Sequence, residues 1–253
     1  MDQEDCAVIL AGGQGSRLKP YTTVLPKPLI PVGDVPILEI VTHQLRGCGF
    51  QKLILAVSRR DGLLRSYFGS GEAFGVDFFY SREDRPLGTI GPLHPVVDRL
   101  PESFLVMNGD VLTDIDYRQC LDAHKASGCH LTVGVFKRRI QIADGVIEVG
   151  SDGRVTSFRE KPTRSFWVSM GVYAMNRSVL EFVPRNRPFG MDDVVLAMLG
   201  ADAPINTYRH SGEWYDIGCP EDLDRANAAF AKRRARFLHP EHETVGVAAW
   251  HDS

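Results

Sequence analysis

The stretch Ala7-Val8-Ile9-Leu10-Ala11-Gly12-Gly13-Gln14-Gly15-Ser16-Arg17-Leu18 decides how the rest of the chain is interpreted. Its first residues form an uninterrupted apolar run, which is typical of a strand buried on both faces. Glycines then crowd together, and glycine lets the backbone approach a ligand and turn its N–H groups toward it. A glycine turn after a strand is more often structural, but such a loop can also hold phosphate oxygens.

Two familiar phosphate-binding loops do not fit this stretch. Leu18 stands where the dinucleotide fingerprint G-x-G-x-x-G needs its third glycine. No Gly-Lys-Ser/Thr follows, so the stretch is not a P-loop. The glycine loop alone is therefore a weak signal.

A lysine held between prolines strengthens that signal. In Leu25-Pro26-Lys27-Pro28-Leu29-Ile30-Pro31, the two prolines are expected to keep the backbone extended and to aim the Lys27 ammonium. A surface lysine is usually only solvated. Because Lys27 follows an Arg-bearing glycine loop, we interpret Arg17 and Lys27 as a pair of cations around a polyphosphate.

Alternating strands and helices predict the fold class. Apolar strands are expected at 52–57, 76–80, 104–107 and 131–136, with helices between them that include 37–45 and 63–68. This order predicts an α/β fold: a Rossmann-like, mostly parallel sheet flanked by helices, with ligands beyond the carboxyl ends of the strands. Antiparallel material follows. Ser151-Asp152-Gly153 predicts a hairpin between 145–149 and 154–158, and a further strand is expected at 168–173.

Composition narrows the function classes. The chain has 253 residues, 43% hydrophobic and 24% charged, and its formal net charge is −3. No global field would recruit nucleic acid or an anionic membrane, so a polyphosphate site must be a local cationic pocket. The 5 cysteines are scattered without a C-x-x-C, which favours reduced thiols over zinc or disulfides. No signal peptide or long apolar run is evident, so we expect a soluble, cytoplasmic protein.

Two carboxylates are candidates for a metal site. Asp110 follows a buried strand in Asn108-Gly109-Asp110, a common place to hold Mg²⁺. Asp216 stands between Tyr215 and Ile217 and is expected to be partly buried, so it needs a partner. A Mg²⁺ ion shared with Asp110 is the simplest one. Asp116 is interpreted instead as the N-cap of a helix over 117–127.

The motifs together resemble a known family, the sugar-1-phosphate nucleotidyltransferases. The glycine loop, Arg17 and Pro26-Lys27-Pro28 match its signature, and Pro86-Leu87-Gly88-Thr89-Ile90-Gly91 is similar to its mannose-1-phosphate guanylyltransferase-like branch. The resemblance runs from about residue 7 to 229. It implies one nucleotidyltransferase domain over 1–236, with a nucleotide-binding core at about 6–136 and an antiparallel sugar-binding lid within 137–218. Residues 237–253 would form a tail.

The resemblance also implies site residues. Catalytic roles fall on Arg17, Lys27 and Lys161, and metal binding on Asp110 and Asp216. The nucleotide would contact Leu10, Ala11, Gly12, Gly13, Glu83, Pro86, Gly88, Thr89, Asn108 and Gly109. The sugar phosphate would contact Gly145, Glu160, Lys161, Ser169 and Gly171. Many relatives have Asn where this chain has Ser169, which weakens any inference about the sugar hydroxyl contacted there.

The implied reaction joins a nucleoside triphosphate and a sugar 1-phosphate into a nucleotide sugar, with release of pyrophosphate. Glu83 favours GTP, because an ionised carboxylate matches the N1–H and N2–H₂ donors of guanine in a bidentate manner. Mannose- or manno-heptose-1-phosphate is then the expected co-substrate. Transfer from UTP, CTP or dTTP to another sugar is the alternative. A non-catalytic regulatory homologue and a molybdopterin nucleotidyltransferase rank lower, and a homo-oligomer is left open.

Overall fold

The strands of the protein were located in a computed structural model, which describes residues 5–13, 15–58, 61–83, 85, 87–185 and 187–238. They are β1 (Cys6–Leu10), β2 (Pro31–Val32), β3 (Val35–Pro36), β4 (Lys52–Val57), β5 (Asp77–Arg82), β6 (Ser103–Asn108), β7 (Val111–Thr113), β8 (Leu131–Gln141), β9 (Val146–Val149), β10 (Val155–Arg159), β11 (Thr163–Asn176), β12 (Ile205–His210) and β13 (Trp214–Asp216). The α-helices are α1 (Ile37–Gly47), α2 (Gly62–Phe68), α3 (Tyr117–Ser127), α4 (Met191–Gly200) and α5 (Pro220–Phe237).

Seven strands form the central sheet in the order β12-β8-β11-β6-β1-β4-β5. Strand β1 runs parallel to β4 and β6, β4 is parallel to β5, and β8 is parallel to β12. Only β11 is antiparallel to its neighbours β6 and β8 within this sheet. The predicted mostly parallel sheet is therefore confirmed, and the carboxyl ends of β1, β4, β5 and β6 lie at one edge.

Each face of the sheet is covered by a separate apolar layer. Helix α1 buries Leu38, Val41 and Leu45 on one face, at the helical spacing that predicted it, and α2 and α3 pack beside it. The other face carries α4 and a 3₁₀ segment over Gly91–Arg99. Asp116 caps α3 as predicted, since its Oδ1 accepts a hydrogen bond from the Gln119 N–H at 2.9 Å.

One local prediction was wrong. Lys27 was expected in extended backbone, yet it begins a 3₁₀ turn over Lys27–Leu29. Pro28 is tolerated there because the first turn of a helix leaves its N–H groups unpaired anyway.

Strands β8 and β11 extend beyond the sheet as a two-stranded arm. Their pairing continues from Ser169 opposite Val135 out to Thr163 opposite Gln141. The hairpin of β9 and β10 lies between them in sequence, and it confirms the hairpin predicted from Ser151-Asp152-Gly153. The expected division between core and lid at 136/137 falls inside β8, so both parts share one sheet.

The carboxyl-terminal end differs from its expected boundary. Phe237 was placed in a tail, but it ends α5 and is buried with Leu238 against Phe230. Residues 239–253 lie outside the described part of the chain. Among the residues that the structure describes, no helix combines the length and apolar character needed to span a membrane.

Candidate active site

The glycine loop lies where the carboxyl ends of three parallel strands meet. The Ala11 N–H donates to the Ala56 carbonyl of β4 at 2.8 Å, and the Gly109 N–H donates to the Leu10 carbonyl at 3.0 Å. These bonds bring Leu10 and Ala11, and with them the start of the glycine loop, close to Gly109 at the end of β6. Gly13 is exposed, so its backbone is accessible to a ligand.

The two predicted metal carboxylates lie at one end of a short two-stranded sheet. Strand β7 begins directly after Asp110, and β13 ends at Asp216. The strands pair antiparallel with Asp216 opposite Val111, and the Ile217 N–H donates to the Asp110 carbonyl at 3.1 Å. This pairing brings together residues that are more than a hundred positions apart in sequence.

Two predicted cations stand beside these carboxylates. The Lys27 ammonium pairs with Asp110 Oδ2, and both side chains are mostly buried, at 14% and 21% exposed. Arg17 lies nearby: a Cβ built on Gly218 would be 3.4 Å from its guanidinium, and its charge acts on Asp216. Arg17, Lys27, Asp110 and Asp216 thus form one cluster next to the glycine loop.

The pKa of Asp216 reflects the charges of this cluster. Partial loss of hydration raises its pKa, the nearby Asp110 carboxylate raises it further, and Lys27 and Arg17 oppose the rise. The sequence predicted that Asp216 would be partly buried, but the residue is exposed. A cation bound beside the two carboxylates would lessen the repulsion between them.

The two carboxylates fit a magnesium ion whose remaining ligands would include substrate phosphate oxygens. Mg²⁺ prefers oxygen ligands and is commonly bound through one or two carboxylates plus phosphate oxygens. Asp110 and Asp216 supply two carboxylates in this arrangement. Within the described ranges no group of three or more His, Cys, Asp or Glu residues could hold a metal alone.

The predicted base loop is clamped to the start of α4. The Phe189 N–H donates to the Leu87 carbonyl at 2.9 Å, and the Ile90 N–H donates to the Phe189 carbonyl at 3.2 Å. Gly88 has φ +80°, and a Cβ there would lie 2.3 Å from the Phe189 carbonyl oxygen, so only glycine fits. The Thr89 hydroxyl accepts the Met191 N–H at 2.8 Å and thereby caps α4. Pro86 lies outside the described residues.

Glu83 lies at the entrance of this loop, directly after β5. Burial raises the pKa of Glu83, and a hydrogen bond from the Leu87 N–H opposes the rise. Its Oε1 is buried and lacks a hydrogen-bond partner among the residues that the structure describes. Glu83 therefore holds the loop with its carboxylate and keeps one acceptor oxygen unused.

Two of the predicted sugar-phosphate residues, Gly171 and Ser169, lie on β11. Gly171 has φ +72°, and a Cβ there would lie 2.5 Å from Asn108 Nδ2, so the two residues are in close contact. The Ser169 hydroxyl lies 2.9 Å from the Tyr173 hydroxyl. Tyr173 was not predicted, because nothing in its local sequence distinguishes it from a core tyrosine.

The other three lie in the connections from β8 to β9 and from β10 to β11, at the outer end of the arm. Gly145 packs against Phe158 and comes near Glu160, and the Glu160 Oε1 lies 3.9 Å from the Lys161 Nζ. Glu160 and Lys161 are exposed, at 62% and 59%. Between Thr163 and Gly171, β11 rises about 3.3 Å per residue. Lys161 thus precedes the end of β11 that is farther from Gly171.

Sequence reasoning missed two residues of the motif around Asp216. Gly218 packs against the Arg17 guanidinium. Trp214 Nε1 donates to the Met170 carbonyl at 3.0 Å, which ties β13 to the strand that carries Ser169 and Gly171. Their motif was recognised, but their contacts cross the fold and leave no local signal.

The fold and the site define a class: an α/β protein with clustered cations and carboxylates at the carboxyl edge of its parallel strands. Residues 6–233 match the nucleotidyl transferase family. The chain belongs to that family, as the motifs predicted.

Individual relatives differ in the nucleotide that their names specify. Mannose-1-phosphate guanylyltransferase of Mycobacterium tuberculosis is 32% identical over 229 residues, which cover 88% of this chain and 63% of the relative. UTP–glucose-1-phosphate uridylyltransferase of Synechocystis is 29% identical over 239 residues, covering 87% and 62%. The chain thus spans less than two thirds of these relatives.

A solved structure shares the fold. A Bacillus anthracis protein assigned as a glucose-1-phosphate thymidylyltransferase, crystallised with sucrose, has a TM-score of 0.71 and 26% identity. The similarity covers 88% of this chain and 93% of that one.

Proposed function

We propose that the protein transfers a nucleotidyl group from a nucleoside triphosphate to a sugar 1-phosphate and releases pyrophosphate. The observation that carries this proposal is the cluster of Arg17, Lys27, Asp110 and Asp216 beside the glycine loop. A phosphate oxygen of the sugar 1-phosphate attacks the α-phosphorus. The bond from the α-phosphorus to the bridging oxygen of the β-phosphate breaks, and pyrophosphate leaves with that electron pair.

The substrate phosphate is itself the nucleophile, so the protein mainly positions two polyanions and neutralises their charge. The Arg17 guanidinium stabilises the leaving pyrophosphate. The Lys27 ammonium stabilises charge at the α-phosphoryl group. Lys161 neutralises the attacking sugar phosphate from the arm, and amides around Gly12 and Gly13 hold the nucleotide.

Magnesium is the proposed cofactor, held by Asp110 and Asp216. When bound, the ion supplies positive charge to the α-phosphate oxygens. The two carboxylates would hold the ion, and the Lys27 ammonium, which pairs with Asp110, lies beside them.

GTP with mannose- or manno-heptose-1-phosphate is the proposed substrate pair. It is supported by the mannose-1-phosphate guanylyltransferase relative and by the position of Glu83 at the start of the base loop, where its carboxylate keeps one oxygen that can accept a hydrogen bond. UTP with glucose-1-phosphate is the second candidate, supported by the uridylyltransferase relative. A purely regulatory role is less consistent with a site that keeps all four of its charged groups.

A substrate grid tests the proposal. Pyrophosphate release is measured for GTP, UTP, CTP and dTTP, each against mannose-, manno-heptose- and glucose-1-phosphate. We expect GTP with a manno-configured sugar to give the highest kcat/KM, and Glu83→Gln to reduce the preference for GTP by about ten- to a hundredfold. A wild-type preference for a pyrimidine nucleotide contradicts the guanine assignment. Absence of release from every pair contradicts the transferase assignment.

A further inference from the structure

The short sheet that carries the metal carboxylates is anchored at its far end. Strands β7 and β13 share only three residue pairs, with Asp216 opposite Val111 at the site and Trp214 opposite Thr113 at the other end. An isolated two-stranded pair of this size is marginally stable. Something else must therefore hold its register, and with it the separation of Asp110 and Asp216.

Asp114 and Glu213 join the two strands at that far end. The Glu213 N–H donates to Asp114 Oδ1 at 2.6 Å, and the Asp114 N–H donates to the Glu213 carbonyl at 3.3 Å. The Thr113 hydroxyl donates to the same carbonyl at 2.8 Å. His210 Nε2 lies 3.0 Å from Asp114 Oδ1 and ties this end to β12.

The carboxyl-terminal part of α5 engages these carboxylates. The Arg233 guanidinium pairs with Glu213 Oε1, and the Tyr215 hydroxyl donates to Glu213 Oε2 at 2.6 Å. Arg236 lies 3.7 Å from Asp114 and 3.8 Å from Glu213. From the sequence, the basic run at 232–236 is interpreted as a solvated helix face. In the structure, these two arginines form ion pairs.

The Arg233–Glu213 pair coincides with a local break in the helix. Backbone angles at Arg233 are φ −140° and ψ 34°, which are not helical. The Glu213 side chain is only 17% exposed. A charge-assisted hydrogen bond to a mostly shielded carboxylate is stronger than a fully solvated surface pair.

We propose that Glu213 is a positioning residue: held by Arg233 of α5, it fixes the register of β7 and β13 and so the spacing of the metal carboxylates. The carboxyl-terminal helix would then control metal affinity from the opposite end of the strand pair. This inference rests on the metal site of the proposed function, but not on the identity of the substrates.

A metal titration tests it without turnover. Mn²⁺ binding is followed by electron paramagnetic resonance for the wild type, Glu213→Gln, Asp34→Asn and Asp110→Asn. Asp34→Asn is the matched control, because Asp34 pairs with Arg234 of the same helix at 2.5 Å but lies on the turn between β2 and β3. Asp110→Asn shows which part of the signal comes from the site.

We expect the Mn²⁺ dissociation constant to rise about tenfold in Glu213→Gln, the lower end of the effect of residues that orient metal ligands. Asp34→Asn should bind like the wild type. Equal affinity in Glu213→Gln and the wild type, equal weakening in both variants, or no site-specific Mn²⁺ signal in the wild type overturns the inference. If Glu213→Gln weakens Mn²⁺ but the substrate grid yields no pyrophosphate, the inference stands and the proposed reaction fails.

Discussion

At the scale of single residues, the site places two carboxylates close to each other and balances them with two cations. Asp110 pairs with Lys27, while Asp216 is more exposed and has a raised pKa. On the proposed function, a Mg²⁺ ion bound by both carboxylates would relieve the repulsion between them.

The first prediction concerns these ligands. Asp110→Ala or Asp216→Ala should lower kcat by orders of magnitude in Mg²⁺ while the thermal unfolding midpoint stays near the wild-type value. Asp116→Ala is the control, since Asp116 is an exposed N-cap whose loss should cost about 0.5–2 kcal/mol of stability without loss of turnover. Near-native turnover in either ligand variant would show that its carboxylate does not bind the metal.

The second prediction separates the cations. Arg17→Ala should mainly lower kcat, because the charge that Arg17 meets on the leaving group develops in the transition state. Lys161→Ala should mainly raise the KM for the sugar 1-phosphate. Steady-state kinetics with each substrate varied in turn distinguishes these effects. A rise confined to the KM for the nucleotide in Lys161→Ala would reverse the assignment of the two ends of the site.

At the scale of elements, the base loop and α4 behave as one unit. Three hydrogen bonds and a close glycine contact join residues 87–90 to residues 189–191. The loop was predicted to contact the nucleotide directly. The structure adds that its shape depends on a helix start a hundred residues later in the chain.

The third prediction tests this unit. Thr89→Val keeps the side-chain shape but leaves the Met191 N–H without its acceptor, a loss of about 1 kcal/mol. We expect a roughly fivefold higher KM for the nucleotide and an unchanged KM for the sugar 1-phosphate. Thr89→Ser retains the hydroxyl and should restore the wild-type value. A wild-type KM for the nucleotide in Thr89→Val would show that this hydrogen bond does not shape the loop.

At the scale of the whole molecule, a buried ion-pair cluster joins α2 to the edge strand β5. The Asp61 side chain is fully buried and receives hydrogen bonds from Arg65 at 2.6 Å and Arg82 at 2.5 Å. Burial alone would raise the pKa of Asp61, but the two arginines outweigh it and lower the pKa below its ordinary value. This cluster makes the stability of the fold sensitive to acid.

The fourth prediction follows from the lowered pKa of Asp61. Because the folded pKa is depressed, the unfolded chain takes up a proton first, and the stabilisation present above about pH 4 is lost as the pH falls through the folded pKa. Asp61→Asn should lower the free energy of unfolding by about 1.5–3 kcal/mol at pH 7. In urea unfolding measured at a series of pH values, the variant should also lose less stability than the wild type as the pH falls; this low-pH part of the stability curve is its acid limb.

Asp152→Asn is the control for that measurement. Asp152 is 61% exposed and its pair with Arg154 spans 3.6 Å, so the substitution should change stability little. An equally steep acid limb in Asp61→Asn and the wild type would show that other carboxylates govern the acid response.

The sequence by itself determined the parallel sheet, the hairpin and the motifs that identify the family, because each depends on a local pattern. Buried strands are apolar runs, the hairpin needs Asp-Gly at its turn, and Asp116 caps a helix within its own first turn. Arg17, Lys27, Asp110 and Asp216 were recognisable for the same reason, since each lies in a short distinctive motif.

Only the tertiary structure decided how these motifs meet. The pairing of β7 with β13 brings Asp110 close to Asp216. The Thr89 hydroxyl bonds to a helix start far along the chain, and Glu213 pairs with an arginine of α5. Such contacts depend on the strand order and on packing between distant segments. A basic run such as 232–236 has the same composition whether it is solvated or paired, so its partners could not be predicted from the sequence.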